Sequence, residues 1–321
     1  MKKVFLFGFV FVFMIVLAAQ IGEPPPPCVD ELIFANQSDG TVRAVCTDIK
    51  NRIEQRIILG GTFGVTQIFP KEKGLITFSR SGRYTQTTFQ DKWFRGVLQQ
   101  ASWQLPAGFL SEPFTVRTPW EKETLKIFLS PDGGSRAERL KDEAMKFNCA
   151  EIVKIAIYGH ELCLDPVFRQ IYLARNRLTA GPEYIGLKPV LGGHLAVGLG
   201  VYEDTVFILT ANTFESSLTT RILGIPQASW GKLFSLRVSP DGTELDIIKI
   251  LDGLDIENDP LAHAMSVSKN YIYLATGTYF NGQRVSQILR VSHIGTALEI
   301  WLPPNDPTFE SGSQIGALAI R

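Results

Sequence analysis

The stretch Val206-Phe207-Ile208-Leu209-Thr210 decides the fold, because close variants of it recur along the chain. Each copy is a short apolar run that ends in a small or polar residue, and the other copies begin at Leu32, Leu75, Leu125, Gln170 and Tyr271. Their starts are mostly about 35 to 65 residues apart, which is roughly the length of one four-stranded blade. A strand pattern that returns at this spacing predicts an all-β, six-bladed β-propeller.

The two ends of the chain are predicted to meet in one blade. Ile315 to Ile320 has the pattern of an innermost strand with no blade after it, and residues 30 to 61 resemble a blade that lacks its innermost strand. Pairing the two segments would close the ring and leave no exposed sheet edge at the seam. The charged segment from Arg136 to Asn148 is predicted to be helical and to decorate the rim.

The N-terminus has the pattern of a secretory signal. Lys2 and Lys3 precede an apolar run from Val4 to Leu17, and the small residues Ala18 and Ala19 follow it. The run is shorter than the roughly 20 residues of a membrane-spanning helix, although an uncleaved membrane anchor is the alternative. The predicted organisation is a signal peptide at 1–19, a proline-rich spacer at 20–29 and the propeller at 30–321, in a secreted or periplasmic protein.

The cysteine count supports the same location. Four cysteines are an even number in an exported chain, which favours disulfides, and the local pairs Cys28–Cys46 and Cys149–Cys163 are the favoured connectivity. Lysine plus arginine and aspartate plus glutamate both number 32, and no basic block occurs, so nucleic-acid binding has no electrostatic support. The expected partner of this monomer is a small-molecule or carbohydrate ligand, or an extracytoplasmic protein.

Three of the four histidines fall at a similar place in the repeat. His160, His194 and His263 each stand just before a short apolar run, so we expect them just before innermost strands of three consecutive blades, at the mouth of the central channel. The predicted ligand-binding residues are therefore His160, Glu161, His194 and His263. Neutral imidazoles can ligate a transition metal, so a metal site formed by His160, His194 and His263 is one alternative. The other alternative is a structural role, in which these side chains form hydrogen bonds to neighbouring loops.

An acidic cluster precedes the last of these histidines. Its oxygen ligands could hold calcium, but the spacing of a calcium-binding loop is missing, which favours an exposed acidic loop; its members are Asp252, Asp255, Glu257, Asn258 and Asp259.

Three stretches resemble the glucose/sorbosone dehydrogenase family of six-bladed propellers. They are Leu-Cys-Leu-Asp-Pro-Val-Phe at 162–168, Gly-Gly-His-Leu-Ala-Val-Gly at 192–198 and Gly-Lys-Leu-Phe-Ser-Leu-Arg-Val-Ser-Pro-Asp-Gly at 231–242, in the order in which the family has them. The resemblance implies the propeller fold. It also implies sugar oxidation with pyrroloquinoline quinone and calcium on the top face.

One departure affects the reaction that this resemblance implies. Val190 stands where the family has its catalytic histidine, and an aliphatic side chain cannot accept a proton from a sugar hydroxyl. The favoured interpretation is an exported propeller that binds a carbohydrate or another ligand or partner without the family's catalytic base. The first alternative is a quinone- and calcium-dependent sugar oxidoreductase in which His194 or His263 substitutes as the base, and the second is a histidine-ligated metal enzyme.

Overall fold

A computed structural model of the chain gives the fold. It describes residues 28, 30–47, 55–79, 81, 83–104, 114–117, 124–129, 135–139, 151–155, 159–164, 171–177, 181–186, 191, 194–212, 230–240, 245–256, 264–304 and 314–321. Regular structure within these ranges consists of strands alone, which agrees with the predicted all-β class. No helix in the described part of the chain is long and apolar enough to cross a membrane. The predicted signal peptide and most of the spacer lie outside the described residues.

The strands of the first half are β1 (Glu31–Asn36), β2 (Thr41–Cys46), β3 (Gln55–Leu59), β4 (Val65–Lys71), β5 (Gly74–Ser79), β6 (Arg83–Phe89), β7 (Val97–Gln104), β8 (Phe114–Arg117), β9 (Thr124–Leu129), β10 (Ser135–Arg139) and β11 (Glu151–Ile155). Those of the second half are β12 (His160–Leu164), β13 (Ile171–Arg177), β14 (Gly181–Gly186), β15 (Ala196–Tyr202), β16 (Thr205–Thr210), β17 (Gly231–Val238), β18 (Leu245–Leu254), β19 (Met265–Val267), β20 (Tyr271–Phe280), β21 (Gln283–Ser292), β22 (Glu299–Leu302) and β23 (Ile315–Ile320). The strand β10 occupies residues 135–139, so the predicted rim helix is wrong for this part of its range.

These strands form six antiparallel sheets, which we call sheets A to F. Sheet A has the order β23-β1-β2-β3, sheet B β4-β5-β6-β7, sheet C β10-β9-β8, sheet D β11-β12-β13-β14, sheet E β15-β16-β17-β18 and sheet F β19-β20-β21-β22. Four-stranded sheets with sequential order are the blades from which β-propellers are built.

The C-terminal strand completes the N-terminal sheet, as predicted. The strand β23 pairs antiparallel with β1, and Phe34 lies opposite Leu318. Glu31 and Arg321 exchange two backbone hydrogen bonds, which extend this ladder by one residue pair beyond Leu32 and Ile320. The predicted disulfide between Cys28 and Cys46 is present as well, with 5.6 Å between the two Cα atoms. Cys149, the partner in the second predicted pair, lies outside the described residues.

The first strands of neighbouring sheets lie side by side. In the pair β15 and β19 they point the same way, because Gly198 lies against Met265 and Gly200 against Val267. Contacts join β11 to β15, β15 to β19, β19 to β23, and β23 to β4. We call the edge where these strands begin the start edge and the edge where they finish the end edge. Ala44 and Ile33 exemplify positions between the two edges that are fully buried.

The core lies between the sheets, which explains the continuous apolar runs of the repeat. In β16, Val206 and Ile208 pack toward sheet D, whereas Phe207 and Leu209 pack toward sheet F. A strand buried on both faces requires apolar residues in succession rather than alternation. Each repeat of the run therefore marks a strand in the middle of a blade.

Candidate functional site

His194 lies at the start edge of sheet E, where it was predicted. It precedes β15, and its backbone amide donates to the carbonyl of Leu191 at 3.1 Å. Burial of the half-buried imidazole lowers the pKa of His194, and the charge of Lys232 lowers it further. The Lys232 ammonium lies 2.9 Å from a carboxylate oxygen of Asp252. Asp252 opposes this effect, but the pKa of His194 stays below its usual value, so the imidazole beside this ion pair is harder to protonate than a free one.

His160 lies at the opposite edge. It begins β12, the second strand of sheet D, and its Nε2 atom is 2.9 Å from the carbonyl oxygen of Pro240. Pro240 follows β17, which runs parallel to β15, so this contact lies at the end edge. The seven residues of β15 separate the two edges by about 20 Å. The expectation that His160 stands before an innermost strand is not met, and the structure does not bring His160 and His194 together.

The other predicted site residues add no third ligand. Glu161 follows His160 in β12 and lies opposite Lys154 of β11 in the ladder, and His263 lies outside the described residues. Among the residues that the structure describes, no group of three His, Cys, Asp or Glu side chains is placed to hold a metal ion. Because His160 and His194 lie at opposite edges, they cannot bind one metal ion together, as the predicted site of three histidines requires.

The described members of the acidic cluster are paired with basic side chains. Asp252 pairs with Lys232, and Asp255 accepts from Nε and Nη2 of Arg284, both at 3.2 Å. Asn212 donates to Asp255 at 2.9 Å. The contact between Asp255 and Arg284 ties sheet E to sheet F at the start edge, and both ion pairs neutralise carboxylates that a calcium ion would need.

The fourth histidine was missed by the sequence analysis. His293 follows β21 at the end edge, and its ring lies 4.3 Å from that of Tyr202 and 5.4 Å from that of Phe207, centroid to centroid. Burial lowers the pKa of His293. The neutral ring packs sheet F against sheet E, so this histidine has a structural role.

A cavity of about 230 Å³ opens at the start edge between sheets A and B. The segment that links β3 to β4 forms one wall, and the strands β5, β6 and β7 form the other. Its lining residues are Gly60, Gly61, Thr62, Phe63, Val65, Thr77, Ser79, Ser81, Arg83, Thr85 and Gln100. No candidate residue from the sequence analysis belongs to this set.

The register of sheet B explains the polar wall. Thr77 lies opposite Thr85, and Thr85 lies opposite Ser102, so three hydroxyls form one row across the sheet. The hydroxyls of Thr85 and Ser102 are 2.8 Å apart, as are those of Ser79 and Ser81. Nearer the end edge, sheet B contributes Leu75 to the apolar core shared with sheet A. As it approaches the start edge, this wall therefore changes from a packed apolar core to buried hydroxyls at Thr77, Ser79 and Thr85. The exposed side chains of Ser81, Arg83 and Gln100 complete it.

The opposite wall carries an aromatic ring in a fixed position. Phe63 is 65% exposed, yet its ring lies so close to Gly40 that a Cβ atom there would be 2.8 Å from it. The neighbouring Thr62 is anchored by its amide and its hydroxyl, which donate to the carbonyl of Gly40 at 2.7 and 2.9 Å. Side chains would find open space at Gly60 and Gly61. The cavity thus combines a rigid exposed ring, accessible backbone and a wall of hydroxyls.

Comparisons with known proteins leave the family open. No protein-family model matches the sequence, and no curated protein matches it. Solved structures that resemble the fold include a hypothetical selenium-binding protein from Sulfolobus tokodaii, with 10% identity, a TM-score of 0.48 and coverage of 85% of this chain and 74% of that one. A protein of unknown function from Bacteroides caccae has 10% identity and a TM-score of 0.47, with 91% of this chain and 98% of that one covered.

A β-propeller domain is among the similar structures. The Cps50 (Swd1) β-propeller domain from Myceliophteria thermophila has 13% identity and a TM-score of 0.39, and the match covers 89% of this chain and 90% of that one. Similarity at this level carries no information about ligand or reaction. The function has to be argued from the site itself.

Proposed function

We propose that the protein is an exported six-bladed β-propeller that binds a carbohydrate in the cavity between sheets A and B. Five sheets already follow one another through their first strands, in the order D, E, F, A, B. Sheet C follows B in the sequence, and its strand β10 contacts β5 of sheet B. Placing sheet C between B and D closes the ring, with the β23–β1 pairing as its seam.

The chemistry of the cavity is the observation that carries the ligand class. Carbohydrates present hydroxyls that need partners and apolar ring faces that stack on aromatic side chains. The cavity supplies hydroxyls and an amide on one wall and the exposed ring of Phe63 on the other. Its volume of about 230 Å³ is below the roughly 300–1,000 Å³ of drug-sized pockets, which suits one sugar unit.

Export is supported by the disulfide. The bond between Cys28 and Cys46 is consistent with an oxidising, extracytoplasmic location. A binding protein in that location meets free sugars and cell-surface glycans alike.

The mouth near His194, where the sequence pattern also predicts His263, remains a second candidate position for the ligand. The Nδ1 atom of His194 is buried and has no hydrogen-bond partner, so an approaching ligand group could supply one. The Lys232–Asp252 pair beside it adds a charged wall.

Titration calorimetry with a panel of monosaccharides and disaccharides tests the cavity. We expect wild-type protein to bind at least one sugar, and Phe63→Ala to weaken that binding by roughly tenfold, because the stacking surface is lost. Ile57→Ala is the matched control, since Ile57 is 63% exposed on the adjacent strand β3 but does not line the cavity.

Two results would contradict the proposal. One is the absence of binding across the panel, and the other is an equal effect of Phe63→Ala and Ile57→Ala. If His194→Ala abolishes sugar binding while Phe63→Ala does not, the ligand position moves to the mouth.

A further inference from the structure

We propose that the cavity selects acidic sugars, with the carboxylate of a uronic acid bound to Arg83. This inference rests on the proposed carbohydrate function and names the class of sugar. Among the described residues that line the cavity, Arg83 is the charged one, and no carboxylate side chain accompanies it in that set.

Arg83 differs from every other arginine whose side chain the structure describes. The other seven each have a carboxylate oxygen within 4.0 Å; they are Arg43, Arg56, Arg95, Arg237, Arg284, Arg290 and Arg321. Among the described residues, the contact of the Arg83 guanidinium is with the Ser102 hydroxyl, 3.4 Å from Nη2. Among the arginines whose side chains are described, the fold therefore pairs all but Arg83 with acids and leaves Arg83 facing the cavity.

The position of Arg83 is set by its backbone. Its amide donates to the Ser79 hydroxyl at 3.2 Å, and the same hydroxyl donates to the Arg83 carbonyl at 3.1 Å. These bonds fix the start of β6 against the end of β5. The side chain extends from this fixed point with most of its N–H donors available, and the planar fork of a guanidinium matches the two oxygens of a carboxylate.

The rest of the cavity fits the sugar ring that carries such a carboxylate. The hydroxyls of Ser81 and Thr85 and the amide of Gln100 add hydrogen-bonding groups to the wall, while the Ser79 hydroxyl is used by Ser81 and the Arg83 backbone. The Phe63 ring offers an apolar face across the cavity. A small inorganic anion would satisfy Arg83 but would leave the hydroxyl wall and the aromatic ring unused.

Matched sugar pairs test the inference. Calorimetry at about 0.15 M salt, where exposed charges are screened, would compare glucose with glucuronate and galactose with galacturonate. We expect the uronate of at least one pair to bind roughly tenfold more tightly than its neutral partner, as a charge-assisted hydrogen bond implies. Arg83→Gln should remove this preference and keep the weaker binding of the neutral sugar, whereas Arg83→Lys should retain part of it.

The controls distinguish an effect of the Arg83 charge on binding from a loss of folding and from the binding of any anion. Arg237→Gln removes an exposed arginine outside the cavity and should leave the preference unchanged. Thermal melting should show equal stability for wild type and Arg83→Gln, because the Arg83 side chain is exposed and has no ion pair among the described residues. Acetate and phosphate, titrated alone, should bind far more weakly than the uronates.

Each contrary result has its own meaning. If no sugar of either kind binds, the carbohydrate function fails and this inference fails with it. If neutral sugars bind as tightly as uronates, the carbohydrate function stands and the role of Arg83 is overturned. If acetate or phosphate binds as tightly as the uronates, the site recognises a bare anion and the sugar specificity is overturned.

Discussion

Two junctions at the start edge have opposite character. Between sheets E and F, Asp255 bonds to Arg284 and Asn212, and the backbone of Gly277 lies against that cluster. Between sheets A and B, Arg83 has no acidic partner within the described residues, and a Cβ atom at Gly60 would meet nothing within 4 Å. The first junction pairs its charged groups with one another, whereas the second leaves the Arg83 guanidinium facing a cavity.

This difference shows where the molecule has room for a ligand. A polar network whose members satisfy one another stabilises the packing of two sheets and offers little to a third molecule. Exposed polar side chains such as Ser81, Arg83 and Gln100 cost little while water covers them, and they can exchange that water for a ligand. Sheets A and B must then be held together away from the cavity, and we expect the contacts at their end edge to do so.

The largest expected effect concerns that end edge. Glu31 is 5% exposed and accepts from both Arg56 and Arg321, and the Arg321 guanidinium stacks 4.2 Å from the Phe94 ring. Glu31→Ala leaves two cations without their shared partner, so we expect a loss of about 3 kcal/mol in the free energy of unfolding. Urea denaturation measures this loss.

The control for Glu31 is an exposed pair of the same kind. Glu299 accepts two bonds from Arg290 at 2.8 and 3.1 Å, but its side chain is 59% exposed. Glu299→Ala should cost less than about 1 kcal/mol. Equal losses for the two variants would show that the end edge does not hold sheets A and B together.

Sequence reasoning found the strands, and the pairing of the C-terminal strand with the N-terminal sheet, for a physical reason. The repeated apolar run is a local pattern, and burial on both faces imposes it wherever a strand lies between two blades. The pairing of Ile315–Ile320 with residues 31–36 and the Cys28–Cys46 bond follow from the same local signals.

The error over His160 has an equally specific cause. In sheets A, B, E and F the repeated run forms the second strand, but in sheet D the run that begins near Gln170 forms β13, the third strand. Counting back from that run places His160 one strand too early. Because neighbouring strands are antiparallel, a slip of one strand moves a residue from one edge of the sheet to the other.

The cavity could not be predicted from the sequence, because it depends on which part of sheet B is not covered by sheet A. Thr85 lies in β6 like the residues of any strand, and nothing local marks its hydroxyl as part of a cavity wall. That property arises from the placement of the segment around Phe63, which is fixed by the distant Gly40. Long-range packing, unlike strand pattern, has no signature in a single sequence.

A pair of glycine substitutions compares the two junctions directly. A Cβ atom at Gly277 would lie 2.5 Å from both Arg284 and Asp255, so Gly277→Ala should cost about 2 kcal/mol through overpacking and a disturbed ion pair. Gly60→Ala meets open space, and we expect its effect to lie within about 0.5 kcal/mol of zero. Denaturation midpoints of the two variants test the contrast, and a larger loss at Gly60 would mean that the cavity wall is closely packed.

The smallest expected effect is a pH dependence at the end edge of the junction between sheets E and F. Burial lowers the pKa of His293, and Lys249 opposes its protonation, while Glu203 and the carbonyls of Ser268 and Tyr271 favour it. The folded pKa lies below the unfolded value of about 6.5, so the unfolded chain binds the proton more readily. Stability is then fully present above pH 6.5 and declines as pH falls from there toward the folded pKa.

His293→Phe keeps a ring against Tyr202 and removes the titrating group. Thermal melts between pH 7.5 and pH 5 should therefore show a shallower decline for this variant than for wild type. His194→Phe is the comparison, because burial lowers the pKa of His194 in the same direction but at the start edge. The contrary result is a loss of melting temperature at low pH that is unchanged in His293→Phe and absent in His194→Phe. That result would assign the acid sensitivity of the fold to His194 at the start edge rather than to His293 at the end edge.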